Sequence, residues 1–150
     1  ILIRSLPILK GKVLDLGCGY GPIGISLSKL NPDLEITMVD INQRAIDLAN
    51  KNIDLNNVQN ADAFQSNGFE KVKGTFNAIV SNPPIRAGKK VIYPLFARSI
   101  EYLEKGGSLY LVIQKKQGAK SAMDKLTEIY GSCEVINKKG GYWILRTVKV

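Results

Sequence analysis

Histidine is absent from the 150 residues, and cysteine occurs only twice, at Cys18 and Cys133. Without imidazole and with two isolated thiols, a zinc site lacks a donor set, and no metal is expected. Two cysteines, one of them inside a glycine-rich turn, make no disulfide framework, so a reducing cytoplasm is the expected location. No apolar run is long enough to span a bilayer, and nothing at the start has the pattern of a signal peptide. Repeats, low-complexity runs and linkers are lacking too. The length suits one domain with its own core, taken as residues 1–150. The chain has no initiator Met and opens on Ile1-Leu2-Ile3, so an N-terminal segment is expected to precede it.

Acidic residues are scarce in one half only. Residues 1–75 carry eight Lys/Arg and eight Asp/Glu, whereas residues 76–150 carry thirteen and five, so the whole net charge of +8 lies in the second half. It clusters at Arg86, Lys89 and Lys90, at Lys115, Lys116 and Lys120, and at Lys138 and Lys139. Any single lysine usually means a solvated surface. Clusters brought to one edge would instead suit phosphates, whose neutralisation releases counterions.

Apolar periodicity alternates between the strand and helix patterns. Strands are expected at 12–16, 35–40, weakly near 58–62, at 76–81, at 108–113, near 133–137 and at 142–148. Helices are expected at 22–30, 42–55, 91–104 and 119–130, with Gly106-Gly107 and Gly131 punctuating helix ends. Such alternation predicts an α/β fold, a parallel sheet with helices on both faces. Ligands in these sheets bind at the carboxyl ends of the strands. All three basic clusters follow strand ends, and Lys138-Lys139-Gly140-Gly141 reads as a hairpin turn closing the sheet. They should rim one edge together.

Two motifs fall on that edge. In Val13-Leu14-Asp15-Leu16-Gly17-Cys18-Gly19-Tyr20-Gly21-Pro22-Ile23-Gly24 a strand runs into a glycine-rich turn, and Pro22 suits the first turn of a helix. Glycines permit a tight turn and close approach of a ligand to the backbone. The G-x-G-x-x-G spelled by Gly19, Gly21 and Gly24 is a weak dinucleotide signal alone. Asp15 discriminates: an acid there would repel a pyrophosphate but could anchor a ligand bearing an ammonium group. That favours S-adenosylmethionine over NAD, and no His or Lys/Tyr pair with hydride-transfer spacing is present. Asp40, ending the next strand, is placed to accept from ribose hydroxyls, and Ile41 could pack on adenine; Asn42 suits the helix cap. Cys18 more readily fills a small buried site than reacts.

The second motif, Ser81-Asn82-Pro83-Pro84, follows the apolar run Phe76–Val80. Each proline locks its own φ and drives the preceding residue toward extended geometry. The amide oxygen of Asn82 and the carbonyl of Pro83 thereby become preset acceptors for a planar –NH2 group. An ordinary Pro-Pro turn is the plainer alternative.

Together, Asp-x-Gly-x-Gly-x-Gly, an acid ending the second strand and Asn-Pro-Pro ending the fourth resemble a class I S-adenosylmethionine-dependent methyltransferase. Ser81–Lys89 and Val112–Ala119 resemble the methyltransferase small domain family, whose best-known members methylate guanine N2 in small-subunit (16S) ribosomal RNA. The resemblance covers essentially the whole chain. It implies a Rossmann-like, mostly parallel seven-stranded sheet with an antiparallel C-terminal hairpin. It also implies S-adenosylmethionine as cofactor, S-adenosylhomocysteine as product, and RNA, ribosomal RNA or the small ribosomal subunit as partner. Carried onto this sequence, cofactor contacts fall on Asp15, Gly17, Cys18, Gly19, Gly21, Asp40, Ile41, Asp62, Ala63 and Asn82. Asp62 is the expected acceptor from the adenine amine, a turn residue being its plainer reading. Asn82, Pro83, Pro84 and Ile85 form the catalytic segment. Many relatives carry Tyr or Phe where Ile85 stands, so aromatic stacking on a base would come from elsewhere. Tyr142 or Trp143 could meet RNA, although core packing suits at least one. A protein glutamine methyltransferase is the first alternative, opposed by Ile85 and the basic second half. A non-catalytic cofactor- or RNA-binding module is the second, opposed by retention of both motifs.

Overall fold

The computed structural model describes residues 2–150, apart from the side chain of Ile85. Seven strands form one sheet in the order β3-β2-β1-β4-β5-β7-β6. They are β1 (Lys12–Leu16), β2 (Glu35–Asp40), β3 (Ala61–Gln65), β4 (Phe76–Ser81), β5 (Leu103–Gln114), β6 (Glu134–Lys139) and β7 (Tyr142–Val148). The first five run parallel. β7 inserts antiparallel between β5 and β6, and Gly140-Gly141 turns between the last two strands. This is the Rossmann-like sheet with an antiparallel C-terminal hairpin. Five helices accompany it: α1 (Leu2–Ser5), α2 (Pro22–Leu30), α3 (Gln43–Leu55), α4 (Lys89–Ser99) and α5 (Ala119–Tyr130).

Strand alternation sorts the apolar residues onto two faces. Leu14, Leu16, Ile79, Leu109, Leu111 and Ile113 meet Phe96 of α4 and Leu126 of α5. Val13, Ile36, Met38, Ala78, Val80 and Tyr110 meet Ile25 of α2 and Ile46 and Ala49 of α3. Each fully buried Leu or Ile contributes about 1.5–3 kcal/mol relative to exposure. Helix signals agree locally: Pro22 stands at the start of α2, and the Asn42 side chain caps α3 by accepting from the N–H groups of Arg44 and Ala45. Gly131 ends α5 in the left-handed conformation.

Two expectations shift. The third strand lies at Ala61–Gln65 rather than near 58–62, because Val58 donates its N–H to Ile53 and so belongs to the end of α3. The helix expected over 91–104, α4, stops at Ser99, whose hydroxyl bonds Phe96 O (2.6 Å) and Tyr130 Oη (2.6 Å), and a 3-10 turn at Ile100–Tyr102 leads into β5. Gly106-Gly107 therefore lie inside β5, not at a helix end. A Cβ on Gly107 would stand 2.8 Å from Glu104 O and 3.0 Å from Asn77 O, where β4 and β5 shift register. Among the described residues, no helix is long and apolar enough to cross a membrane, and no cluster of three His, Cys, Asp or Glu could hold a metal ion.

Candidate active site

The glycine turn is sewn to the end of β2. The N–H groups of Gly17 and Cys18 both donate to Val39 O (2.9 and 2.8 Å). Asp40 accepts from Gly19 N–H through Oδ2 and from Asn42 N–H through Oδ1, each at 2.9 Å. Gly17 has φ +73°, and nothing lies within 4 Å of where its Cβ would stand, so bare backbone faces open space. Gly24 serves packing instead. A Cβ there would meet Met38 Sδ at 2.7 Å and Asp15 Oδ2 at 3.0 Å.

Beneath this turn lies Asp15, 1% exposed, its Oδ2 accepting from Gly24 N–H at 3.0 Å. Burial raises its carboxyl from the ordinary 3.8 to about 7; the Gly24 N–H opposes the rise and the Asp40 charge adds to it. Cys18 is also buried, and burial, reinforced by Asp15 and Asp40, pushes its thiol up to about 12. A thiol raised in this way is disfavoured as a thiolate.

A cavity of about 460 Å³ opens at the carboxyl ends of β1, β2, β3 and β4. Gly17, Asp40 and Ile41 line one side, Asn67 and Gly68 a second, and Asn82 a third. Its floor is apolar, from Phe96, Leu109 and Leu111. Four residues expected to touch cofactor (Asp15, Cys18, Gly19 and Gly21) lie outside this lining. Asp15 supports the turn from beneath, and Cys18, Gly19 and Gly21 belong to the turn itself. Asp62 and Ala63 also lie outside the lining: both sit inside β3, paired with Thr37 and Met38, away from its carboxyl end. The later start of β3 carries the turn Ser66-Asn67-Gly68 to the cavity instead. Asn67 went unrecognised in the sequence, where the signal was a Ser-Asn-Gly turn directly after alternating Ala61–Gln65.

Ser81 Oγ donates to Leu16 O at 2.8 Å, tying the end of β4 to β1 just before the Asn-Pro-Pro segment. Pro83 is buried and Pro84 O accepts Ala87 N–H at 2.9 Å, opening a 3-10 turn at Ile85–Ala87. Asn82 is exposed, and among the described residues no hydrogen bond holds its carboxamide. The expectation for Ile85 concerns a side chain outside the described residues. Behind the segment lies a second cavity of about 310 Å³, lined by Arg86, Gln114, Gln117 and Tyr142 together with Asn82, Pro83 and Pro84. The Asn-Pro-Pro segment is thus a wall between two chambers. Gln114 and Gln117 were not singled out in the sequence; Gln114 is the polar residue ending the buried run Leu109–Ile113.

The basic residues gather near this wall. Arg86 lines the second cavity, and Lys89 and Lys90 open α4. Lys115 and Lys116 occupy a 3-10 turn directly after β5, and Lys120 lies in the first turn of α5. Lys138 and Lys139 pair with Trp143 and Tyr142 beside the hairpin turn, which is joined to the end of β5 by Lys115 N–H donating to Gly141 O (2.8 Å). All eight are exposed. Lys138 Nζ stands 4.4 Å from the Trp143 ring centre, holding that half-buried ring under a cation.

Residues 1–146 match the methyltransferase small domain family. A Bacillus subtilis protein described as uncharacterized protein YbxB is 48% identical over the whole chain, which spans 77% of it. Ribosomal RNA small subunit methyltransferase C of Aeromonas hydrophila is 40% identical over 75% of this chain and 34% of its own length. The chain therefore spans about a third of that enzyme. Among solved structures, the T. thermophilus 16S rRNA N2 methyltransferase in complex with AdoMet and guanosine superposes with a TM-score of 0.82 at 26% identity, over 93% of this chain and 37% of that one. The first cavity suits AdoMet by its own chemistry: bare backbone at Gly17, a carboxylate at Asp40, an amide at Asn67 and an apolar floor. The chain belongs to the methyltransferase small domain family, and its cofactor is S-adenosylmethionine.

Proposed function

We propose that this chain methylates the exocyclic amine of an RNA base, most specifically N2 of guanine in small-subunit ribosomal RNA, in the cytoplasm. The observation that carries the reading is the Asn82-Pro83-Pro84 wall, common to both cavities. Reactants seated in the two cavities would meet beside this one rigid segment, which both cavities share.

When bound, the cofactor supplies an electrophilic sulfonium methyl. Asp40 accepts from its ribose, Ile41 covers adenine, Asn67 takes the adenine amine in place of Asp62, and Gly17 gives the backbone room. Asp15 holds the turn through Gly24 rather than touching ligand. On the acceptor side, the Asn82 amide oxygen and the Pro83 carbonyl each accept one hydrogen of the base amine. That bias toward pyramidal geometry frees a lone pair otherwise delocalised into the ring and would aim it directly at the sulfonium methyl. No strong base is required, because the nitrogen loses its proton to water after the methyl has moved. Most of the rate then comes from proximity and orientation, with complementarity to charge developing on nitrogen. Arg86, Lys89, Lys90, Lys115, Lys116, Lys120, Lys138 and Lys139 hold the phosphates flanking an unstacked nucleotide.

Support comes from the relatives' described activity, from the basic edge and from the amine-shaped pair of acceptors. Transfer of labelled methyl from S-adenosylmethionine by the full-length protein tests it. Unmodified small ribosomal subunits, naked ribosomal RNA and protein extract are offered in parallel. Label released by ribonuclease and recovered as N2-methylguanosine is expected. Label released only by protease would move the activity to a protein amide.

A further inference from the structure

Resting on that reading, we infer that Gln114, held by Tyr142, is the residue that selects guanine over adenine at the acceptor site. β4 and β5 run parallel with Ser81 opposite Leu111, so Asn82 and Gln114 emerge from neighbouring strand ends. Gln114 pairs with Tyr142 across the antiparallel β5–β7 ladder. Both line the second cavity beside Asn82, Pro83 and Pro84.

Orientation decides what this pair can read. Gln114 Nε2 donates to Tyr142 Oη at 2.8 Å, and both side chains are half-buried. With its amino end committed to tyrosine, the amide turns its carbonyl Oε1 outward as an acceptor. The tyrosine hydroxyl, having accepted that hydrogen bond, keeps its own proton to donate. From the wall inward the chamber therefore offers an acceptor at Asn82, an acceptor at Gln114 and a donor at Tyr142. Guanine's Watson–Crick edge presents the complement: the N2 amine donates, N1–H donates and O6 accepts. Adenine and cytosine also offer an amine to Asn82, but their adjacent ring nitrogen is an acceptor. Set against Gln114 Oε1, that nitrogen would leave two lone pairs facing each other in a partly desolvated chamber. A site built to hydrogen-bond a donor rejects the analogue lacking it far more strongly than an apolar pocket rejects a misfit.

The test uses the full-length protein and RNA in which the methylated guanosine has first been located by the labelled-methyl assay. Fragments carrying guanine or 2-aminopurine at that nucleotide are compared by kcat/KM. 2-Aminopurine keeps the acceptor amine but lacks both N1–H and O6. Wild type is expected to prefer guanine by about 100-fold or more. Gln114→Leu should lose most of that preference, chiefly through guanine, with S-adenosylmethionine affinity unchanged as evidence of folding. Gln114→Glu, which keeps an acceptor, should retain more of the preference than Gln114→Leu. If Gln114→Leu slows both fragments equally, or leaves the preference whole, Gln114 does not read the base and only this assignment fails. If wild type labels no guanine, the proposed function fails with it.

Discussion

Replacing Asp15 with Asn gives a sharp test of the site's electrostatics. A buried carboxyl raised from 3.8 to about 7 binds a proton in the folded protein where the unfolded chain has released it. Folding is therefore favoured by this group below about pH 4, and that contribution is lost as pH rises toward 7. Each pH unit in the window carries about 1.4 kcal/mol, so the full loss is about 4 kcal/mol. Asparagine is nearly isosteric, keeps an oxygen for the Gly24 N–H (3.0 Å to Asp15 Oδ2) and carries no charge. The stability of Asp15→Asn minus that of wild type should climb by about 1.4 kcal/mol per unit between pH 4 and 7 and level off above. Urea unfolding of both proteins at pH 4, 5, 6, 7 and 8 measures this, because titrating groups that do not interact with Asp15 cancel in the difference. A difference that stays flat across the series would mean that Asp15 titrates as an ordinary carboxylate, and the account of its burial would be wrong.

Asn82→Ala should lower turnover by about 10²–10³-fold while leaving S-adenosylmethionine affinity near wild type in calorimetry. An equal loss of both would make Asn82 a structural residue. Changing Lys115 and Lys116 together to Gln should weaken RNA binding without altering cofactor affinity. The slope of log K against log salt should fall by about 1.4, as for two single-strand phosphate contacts; an unchanged slope would remove them from the interface. Gly24→Ala should cost about 1–3 kcal/mol in urea unfolding, because the added methyl meets Met38 and Asp15 at 3.0 Å or less.

Much of the fold was legible because strand and helix periods are well separated around residues 12–55. Val13–Leu16 and Glu35–Asp40 alternate or run apolar between turn residues, and Pro22 and Asn42 mark helix starts. The third strand was misplaced because it is an edge strand, with Asp62 and Gln65 exposed and little apolar contrast to fix its register. With the strand placed three residues too early, Asp62 was read as following it, whereas the turn that follows β3 is Ser66-Asn67-Gly68. The helix over 91–104 ran long because Ser99 ends it through a tertiary contact with Tyr130, invisible to local pattern. In the site, motifs marked the cofactor side and the dividing wall. Gln114 and its bond to Tyr142 escaped because the two meet only across an antiparallel ladder between residues 28 apart.

The two cavities draw unequally on the length of the chain. Every residue lining the second cavity is numbered 82 or higher, whereas Gly17, Asp40 and Asn67 on the cofactor side all precede it. The excess positive charge follows the same division. Substitutions at Arg86, Gln114, Gln117 or Tyr142, which line the second cavity and not the first, can therefore reshape what is methylated while the chamber that serves the methyl donor stays as it is. A fold arranged in this way can change its clientele by drifting at those few positions, with the donor chamber, which draws on both halves of the sequence, under unbroken constraint.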